Sequence, residues 1–178
     1  MGLLKKTKTY LIGHIQCGDG RTWRSLVEKE CAKMGIQCYN PYTKPFLKDI
    51  KENENVQQYM KDCMARGEFD EVQELMREIR IFDLCLTDKS DFLICYIDPK
   101  IPTYGTMEEL SWAVRLKRPI FVAVEGGKHC CPLWILGMVP HKYVYSSIED
   151  VIAVLNTIDS GAKKIDNSRW KLLKEEHR

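Results

Sequence analysis

Apolar residues fall along the chain in two patterns, short continuous runs and longer stretches where they recur every three or four positions; the alternation of the two predicts the elements. The run Thr9–Ile15 predicts a strand, broken by the turn-rich Cys17–Gly20. Over Arg21–Met34 the positions Trp23, Leu26, Val27, Cys31 and Met34 keep helical spacing, with Gly35 as a stop, and Ile36–Tyr39 reads as a second strand closed by Asn40-Pro41. Strand, glycine loop, helix and strand within about thirty residues make the βαβ unit of a parallel sheet.

Residues 42–54 are polar and read as loop. The proline-free segment 55–88 predicts two helices broken near Gly67, one marked by Met60, Cys63 and Met64, the other by Val72, Leu75, Met76, Ile79, Phe82 and Leu86. Asp91–Asp98 is apolar at consecutive positions, as a strand covered on both faces requires. After the loop Pro99–Tyr104, Thr106–Leu116 predicts a helix with Thr106 as N-cap. Pro119–Val124 is a further buried-type strand, followed by Glu125-Gly-Gly127 and an apolar stretch of poor periodicity to Val139. Lys142–Tyr145 reads as a last short strand, and Ser146-Ser147 caps a terminal helix over Ile148–Ile158. The expected architecture is a flavodoxin- or Rossmann-like α/β fold: five parallel strands, helices on both faces, and a helical insertion around 43–80. Residues 1–160 form the expected single domain and 161–178 a basic tail, where six basic residues from Lys163 to Arg178 face three acidic ones. The tail's Trp170, Leu172 and Leu173 fit a solvated or subunit-docking role better than a nucleic-acid arm.

Composition narrows the function classes. The chain has 178 residues, 44% hydrophobic and 29% charged, with a net charge of +2, so no global field draws in nucleic acid or acidic membrane and recognition is local. The first eight residues carry no apolar signal core, and no apolar run reaches the roughly 18 residues of a membrane helix. The expected compartment is the cytoplasm, where the eight cysteines, most of them single within apolar patterns, are reduced core thiols. His129-Cys130-Cys131 lacks a second pair at zinc-like spacing, so no metal is expected.

Polar groups collect at three strand ends: Gly13, His14, Gly18, Asp19, Gly20 and Arg21 after the first strand; Asp83 with Asp91 before the third; and Tyr104-Gly-Thr-Met-Glu-Glu109 at a loop-helix junction. Ligands in such sheets bind beyond the carboxyl ends of the strands, which brings the first and last sets to one cleft. The glycines lack G-x-G-x-x-G spacing and the loop lacks a P-loop Lys-Ser/Thr, which weakens nicotinamide-redox and ATPase readings. A helix N-terminus with glycines and Arg21 still suits one phosphate or a sugar hydroxyl. Glu108 and Glu109, placed in a first helical turn, also fit a plain complement to the helix dipole.

Four landmarks in order resemble the nucleoside 2-deoxyribosyltransferase family and its relatives, the 2'-deoxynucleoside 5'-phosphate N-hydrolases. They are Tyr10-Leu-Ile-Gly13, Asp83-Leu84, Ser90-Asp91 with the apolar strand to Ile94, and Gly105-Thr106-Met-Glu-Glu109-Leu110 with Ala113. The sequence departs from the family at Ser111, where glycine is usual, at the bulky His14, and in the length of 43–80. The resemblance implies cleavage or transfer at the N-glycosidic bond of a 2'-deoxynucleoside or its 5'-monophosphate, with no cofactor. It makes Glu109 the nucleophile that forms a covalent glycosyl-enzyme, Asp83 the acid near the departing base and Tyr10 the group that orients Glu109. Glu-Leu-x-x-Ala selects Glu109 over Glu108, whose side chain points about 100° away.

Gly13, His14, Arg21, Asp98, Gly105 and Thr106 are the candidate substrate-binding residues. Arg21 and Arg24 are candidate phosphate holders or surface charges, and Asn40 and Asp98 either line the pocket or only form their Asn-Pro and Asp-Pro turns. A homo-oligomer is expected. Sequence leaves transferase and hydrolase open. It also leaves two rivals: a glycosidase of ribonucleotide or NAD-like substrates, and a non-catalytic nucleotide-binding or signalling module, in which Asp83 and Glu109 need not converge.

Overall fold

The computed structural model describes residues 2–15, 20–43 and 54–164. Gly18 and Asp19 of the glycine loop, Cys17, and the tail beyond Lys164 lie outside the described residues. The elements in chain order are β1 (Lys8–Gly13), α1 (Thr22–Lys33), β2 (Gln37–Tyr39), α2 (Glu54–Arg66), α3 (Phe69–Lys89), β3 (Phe92–Ile97), α4 (Tyr104–Arg115), β4 (Ile120–Val124), α5 (Leu133–Met138), β5 (Val144–Tyr145) and α6 (Ile148–Asp159).

All five strands are parallel in the order β2-β1-β3-β4-β5. This is the flavodoxin-like order, and the chain reverses its direction of travel between β1 and β3. Right-handed crossovers on either side of that point put α1 and α4 on opposite faces. α1 packs with α6, and α3 with α4 and β1. The central strands are apolar at nearly every position because both faces are covered: Leu11, Ile12, Leu93, Ile94, Phe121, Val122 and Val124 are all buried. Phe92, Phe121 and Tyr143 meet edge-on at 5.8 and 5.9 Å.

Local signals explain most boundaries. Ser147 caps α6 by accepting from the Asp150 N–H at 3.1 Å. Gly67, in left-handed conformation at φ 77°, ends α2. The helical segment expected around 43–80 is α2 with the first half of α3, and α3 continues to Lys89 as the crossover into β3. The irregular apolar stretch before Val139 holds the short α5, and the last strand contracts to two residues after a single helical turn at His141–Tyr143.

One boundary corrects the sequence reading. α4 starts at Tyr104, so Thr106 is not its N-cap; Thr103 occupies that position without a side-chain cap bond, and Thr106 is turned inward at 4% exposure. Tyr104 and Gly105 read as loop, yet a poor helix former costs little in a first turn whose N–H groups have no intrahelical partner anyway. Glu108 and Glu109 consequently stand in the second turn, beyond the reach that makes acids useful to the helix dipole. Of the cysteines, Cys31, Cys63, Cys95 and Cys131 are buried free thiols, whereas Cys130 is exposed. Among the described residues no helix is long and apolar enough to cross a membrane, and no group of three or more His, Cys, Asp or Glu could hold a metal.

Candidate active site

A pocket of about 450 Å3 opens where β1 and β3 part, walled by the end of β1, one face of α3 and the start of α4. Its lining includes Tyr10, Gly13, His14, Asp83, Gly105, Thr106 and Glu109, so seven sequence candidates from three separated segments converge. Arg21 and Asp98 are not among the lining residues.

At the floor, the Tyr10 hydroxyl donates to Glu109 Oε1 at 2.8 Å. Tyr10 is buried and Glu109 is 9% exposed, on the face of α4 that also carries buried Thr106, Leu110 and Ala113. The one-residue step to Glu108 rotates its side chain by about 100° to the rim. There Glu108 accepts from Arg80 Nε at 2.8 Å and pairs with a second nitrogen of the same guanidinium. The Arg80 guanidinium holds the Glu108 carboxyl below the usual carboxylate range, and Glu108 raises Arg80 in return. Glu109 is thus buried at the floor, whereas the Glu108 side chain is 39% exposed at the rim.

Arg24 fixes the turn after β1. Its guanidinium, fully buried, donates to the carbonyls of Leu11 at 3.3 Å, Gly13 at 2.9 Å, His14 at 3.2 Å and Gly20 at 2.6 Å. It lies over the Trp23 ring at 4.4 Å and the Tyr42 ring at 5.4 Å. Burying a cation costs several kcal/mol, and charge-assisted bonds of about 1.5–3 kcal/mol each offset that cost. Burial pulls Arg24 below its ordinary range, opposed by Tyr42, Tyr10 and Glu109, so the Glu109 charge supports the arginine's ionised form. Arg24 is therefore committed to the chain's own carbonyls, which removes it as the phosphate holder the sequence allowed. Gly13 is required at this corner because an added Cβ would stand 2.8 Å from the Tyr96 carbonyl and 3.1 Å from Trp23 Cζ2.

Behind the pocket, Trp23 stacks on Tyr96 at 5.6 Å, and the buried His14 ring tilts against Tyr96 at 6.0 Å. The Tyr96 hydroxyl donates to Glu125, and burial raises Tyr96 above the usual phenol range. Cys95 lies in the core nearby; burial, then the Glu109 charge, push its thiol up. Asp98 is occupied in its own turn, accepting from the Lys100 N–H at 2.9 Å, and Asn40 likewise accepts from the Tyr42 N–H at 3.1 Å. Exposed Arg21 lies 5.0 Å above the Tyr42 ring, outside the pocket.

Apart from Asp83, the sequence reading missed the α3 wall. Met76, Ile79, Arg80, Asp83 and Leu84 all line the pocket. Their i, i+3, i+4, i+7, i+8 spacing is one helical face, and that spacing was the available signal once Asp83 was singled out. Tyr104, 88% exposed, stands at the mouth beside Ile101 and Pro102.

No family model and no curated protein matches the chain. Among solved structures, it is similar to a 2-deoxyribosyltransferase from the psychrotolerant bacterium Bacillus psychrosaccharolyticus, at 15% identity and TM-score 0.51, covering 83% of this chain and 95% of that one. It is also similar to a CMP N-glycosidase of Clostridium botulinum, at 14% identity and TM-score 0.46 over 84% and 98% of the two chains. A conserved protein of Enterococcus faecalis V583 aligns at 15% identity and TM-score 0.48 over 85% and 98%. The likeness to the Bacillus enzyme shows the fold of a 2-deoxyribosyltransferase in this chain.

Proposed function

We propose that the protein cleaves or transfers the N-glycosidic bond of a 2'-deoxynucleoside or its 5'-monophosphate through a covalent intermediate on Glu109. The observation that carries this reading is the buried hydrogen bond from Tyr10 to Glu109 at the floor of a pocket whose wall also holds Asp83. The fold shared with a 2-deoxyribosyltransferase supports it.

The chemistry follows from the residue types. One Glu109 oxygen accepts from Tyr10, which holds the carboxylate in one orientation for attack on the anomeric carbon. The C–N bond breaks as the C–O bond forms, and the base leaves with a proton that Asp83 supplies. In the second half-reaction water or another nucleobase attacks the same carbon and Glu109 departs, so configuration is retained overall. Convergence of Asp83 and Glu109 on one pocket is the arrangement that a purely nucleotide-binding module does not need.

Base release from deoxynucleosides and their monophosphates, followed by chromatography, tests the reading. Glu109→Gln is expected to lower turnover by on the order of 10³-fold or more, and Asp83→Asn by roughly 10²-fold or more. Tyr10→Phe removes one bond to a charged group, a loss of roughly 10- to 100-fold. Wild-type-like turnover in Glu109→Gln contradicts the assignment. Adding a free acceptor base tells transfer from hydrolysis.

A further inference from the structure

The pocket end of β1 outruns the strand beside it, and an arginine stands where that strand stops. β2 has three residues and ends at Tyr39, opposite Tyr10, whereas β1 pairs with β3 as far as Gly13. Backbone carbonyls alternate between the two edges of a strand. The Thr7 carbonyl accepts from the Gln37 N–H of β2 at 2.9 Å, and the Lys8 carbonyl from the Asp91 N–H next to β3 at 2.8 Å. Odd-numbered carbonyls of this segment therefore face the β2 side. Leu11 and Gly13 turn theirs to an edge that β2 has left, and Leu11 is fully buried, where a carbonyl without a donor is costly. Arg24 covers that edge from α1. Its Nε donates to Leu11 at 3.3 Å and Nη2 to Gly13 at 2.9 Å, while Nη1 reaches His14 at 3.2 Å and Gly20 at 2.6 Å. Two donors thus continue β2, and the third nitrogen closes the turn.

We infer that Arg24 is a positioning residue for the nucleophile: it holds the end of β1 in the place from which the Tyr10 hydroxyl reaches Glu109. The inference rests on the glycosidic reading of the site and adds to it a residue that acts through another. Tyr10 directly precedes Leu11, the first carbonyl that Arg24 holds, and its hydroxyl meets Glu109 Oε1 at 2.8 Å. Such O–H···O bonds keep their strength only over a few tenths of an ångström. A displacement of about 1 Å at a reacting group can cost on the order of 10² in rate. Four acceptors and two flanking rings leave the buried guanidinium one placement, so the strand end it holds has one placement too. The Arg24 charge also favours the ionised form of Glu109, an effect that a lysine at this position would keep.

The experiment is a double-mutant cycle in kcat on the deoxynucleoside or monophosphate that the wild type turns over fastest. It compares the wild type, Arg24→Lys, Tyr10→Phe and the Arg24→Lys/Tyr10→Phe double variant, with the folded fraction of each read by urea denaturation. Lysine keeps the charge and loses the planar fork that serves Leu11 and Gly13 together. Arg24→Lys is expected to lower kcat of the folded enzyme by about tenfold or more. Once Tyr10 is phenylalanine, the same change is expected to cost less than about twofold, because both substitutions remove one effect. Gly20→Ala is the second variant: its Cβ would stand 2.5 Å from the His14 carbonyl and 2.9 Å from Arg24 Nη1, which shifts the guanidinium without removing it. It is expected to lower kcat with the same dependence on Tyr10, and it decides the matter where Arg24→Lys does not fold. Wild-type-like kcat in these variants, or losses that multiply with that of Tyr10→Phe, overturn the inference and leave Glu109 chemistry standing. Turnover surviving in Glu109→Gln contradicts the glycosidic reading whatever the cycle gives.

Discussion

The floor of the pocket and its mouth each contain an arginine, and the two are used differently. Arg24 at the floor is buried, donates to four carbonyls and sits over two aromatic rings, so it acts as a bracket for the turn after β1. Arg80 at the mouth is more than half exposed and, among the described residues, pairs with the Glu108 carboxylate through side chains that solvent reaches. The same residue type is structural where desolvation forces it to satisfy every donor and adjustable where water competes. The floor thus holds its side chains in one place, while the charged pair at the mouth stays open to solvent.

The largest test of this contrast is stability. Arg24→Met leaves several buried carbonyls without a donor, at about 1–3 kcal/mol for each unsatisfied group. A loss of about 3 kcal/mol or more is expected, which lowers Tm by roughly 6–12 °C for a chain of this size. Arg80→Met is expected to cost under about 1 kcal/mol, as exposed pairs do. Chemical denaturation of both variants checks this, and equal losses would erase the distinction between floor and mouth.

A smaller effect is expected with alkaline pH, and it belongs to the buried core rather than to the pocket mouth. The buried Cys95 thiol titrates well above its ordinary 9.0 in the folded chain, so the unfolded chain loses that proton first. Stability that rests on the neutral thiol is complete below pH about 9 and falls as pH rises beyond it. Tyr145, pushed by burial from 10.0 to about 12, adds a decline of the same sign between those values. Urea midpoints at pH 8 and 10 should show the drop, with a shallower slope in Cys95→Ala; a rise on going to pH 10 would contradict the assignment.

How much was legible in the sequence depends on where each signal resides. Continuous apolar runs such as Phe92–Ile97 announce a doubly covered strand, and Ser147 announces the start of α6, because in both cases the side chains themselves carry the information. The landmarks at Tyr10, Asp83 and Glu109 were legible by residue type and order along the chain, and the fold gathers them in one pocket. The bracket made by Arg24 was not, since its acceptors are backbone carbonyls that any residue provides; the arginine read instead as a phosphate ligand or a surface charge. The start of α4 was misplaced because Gly105 reads as loop in isolation, whereas a first helical turn tolerates it. The Arg80–Glu108 pair joins two helices 28 residues apart, and only the packing of α3 on α4 brings them together.

The central claim is that Glu109 becomes covalently glycosylated, and trapping that species tests it most directly. Rapid acid quench during turnover of a 2'-deoxynucleoside, followed by peptide mass spectrometry, should find one deoxyribosyl mass on the peptide containing Glu109 and none in Glu109→Gln. Steady base release with no adduct on that peptide, or an adduct carried by another residue, would contradict the account.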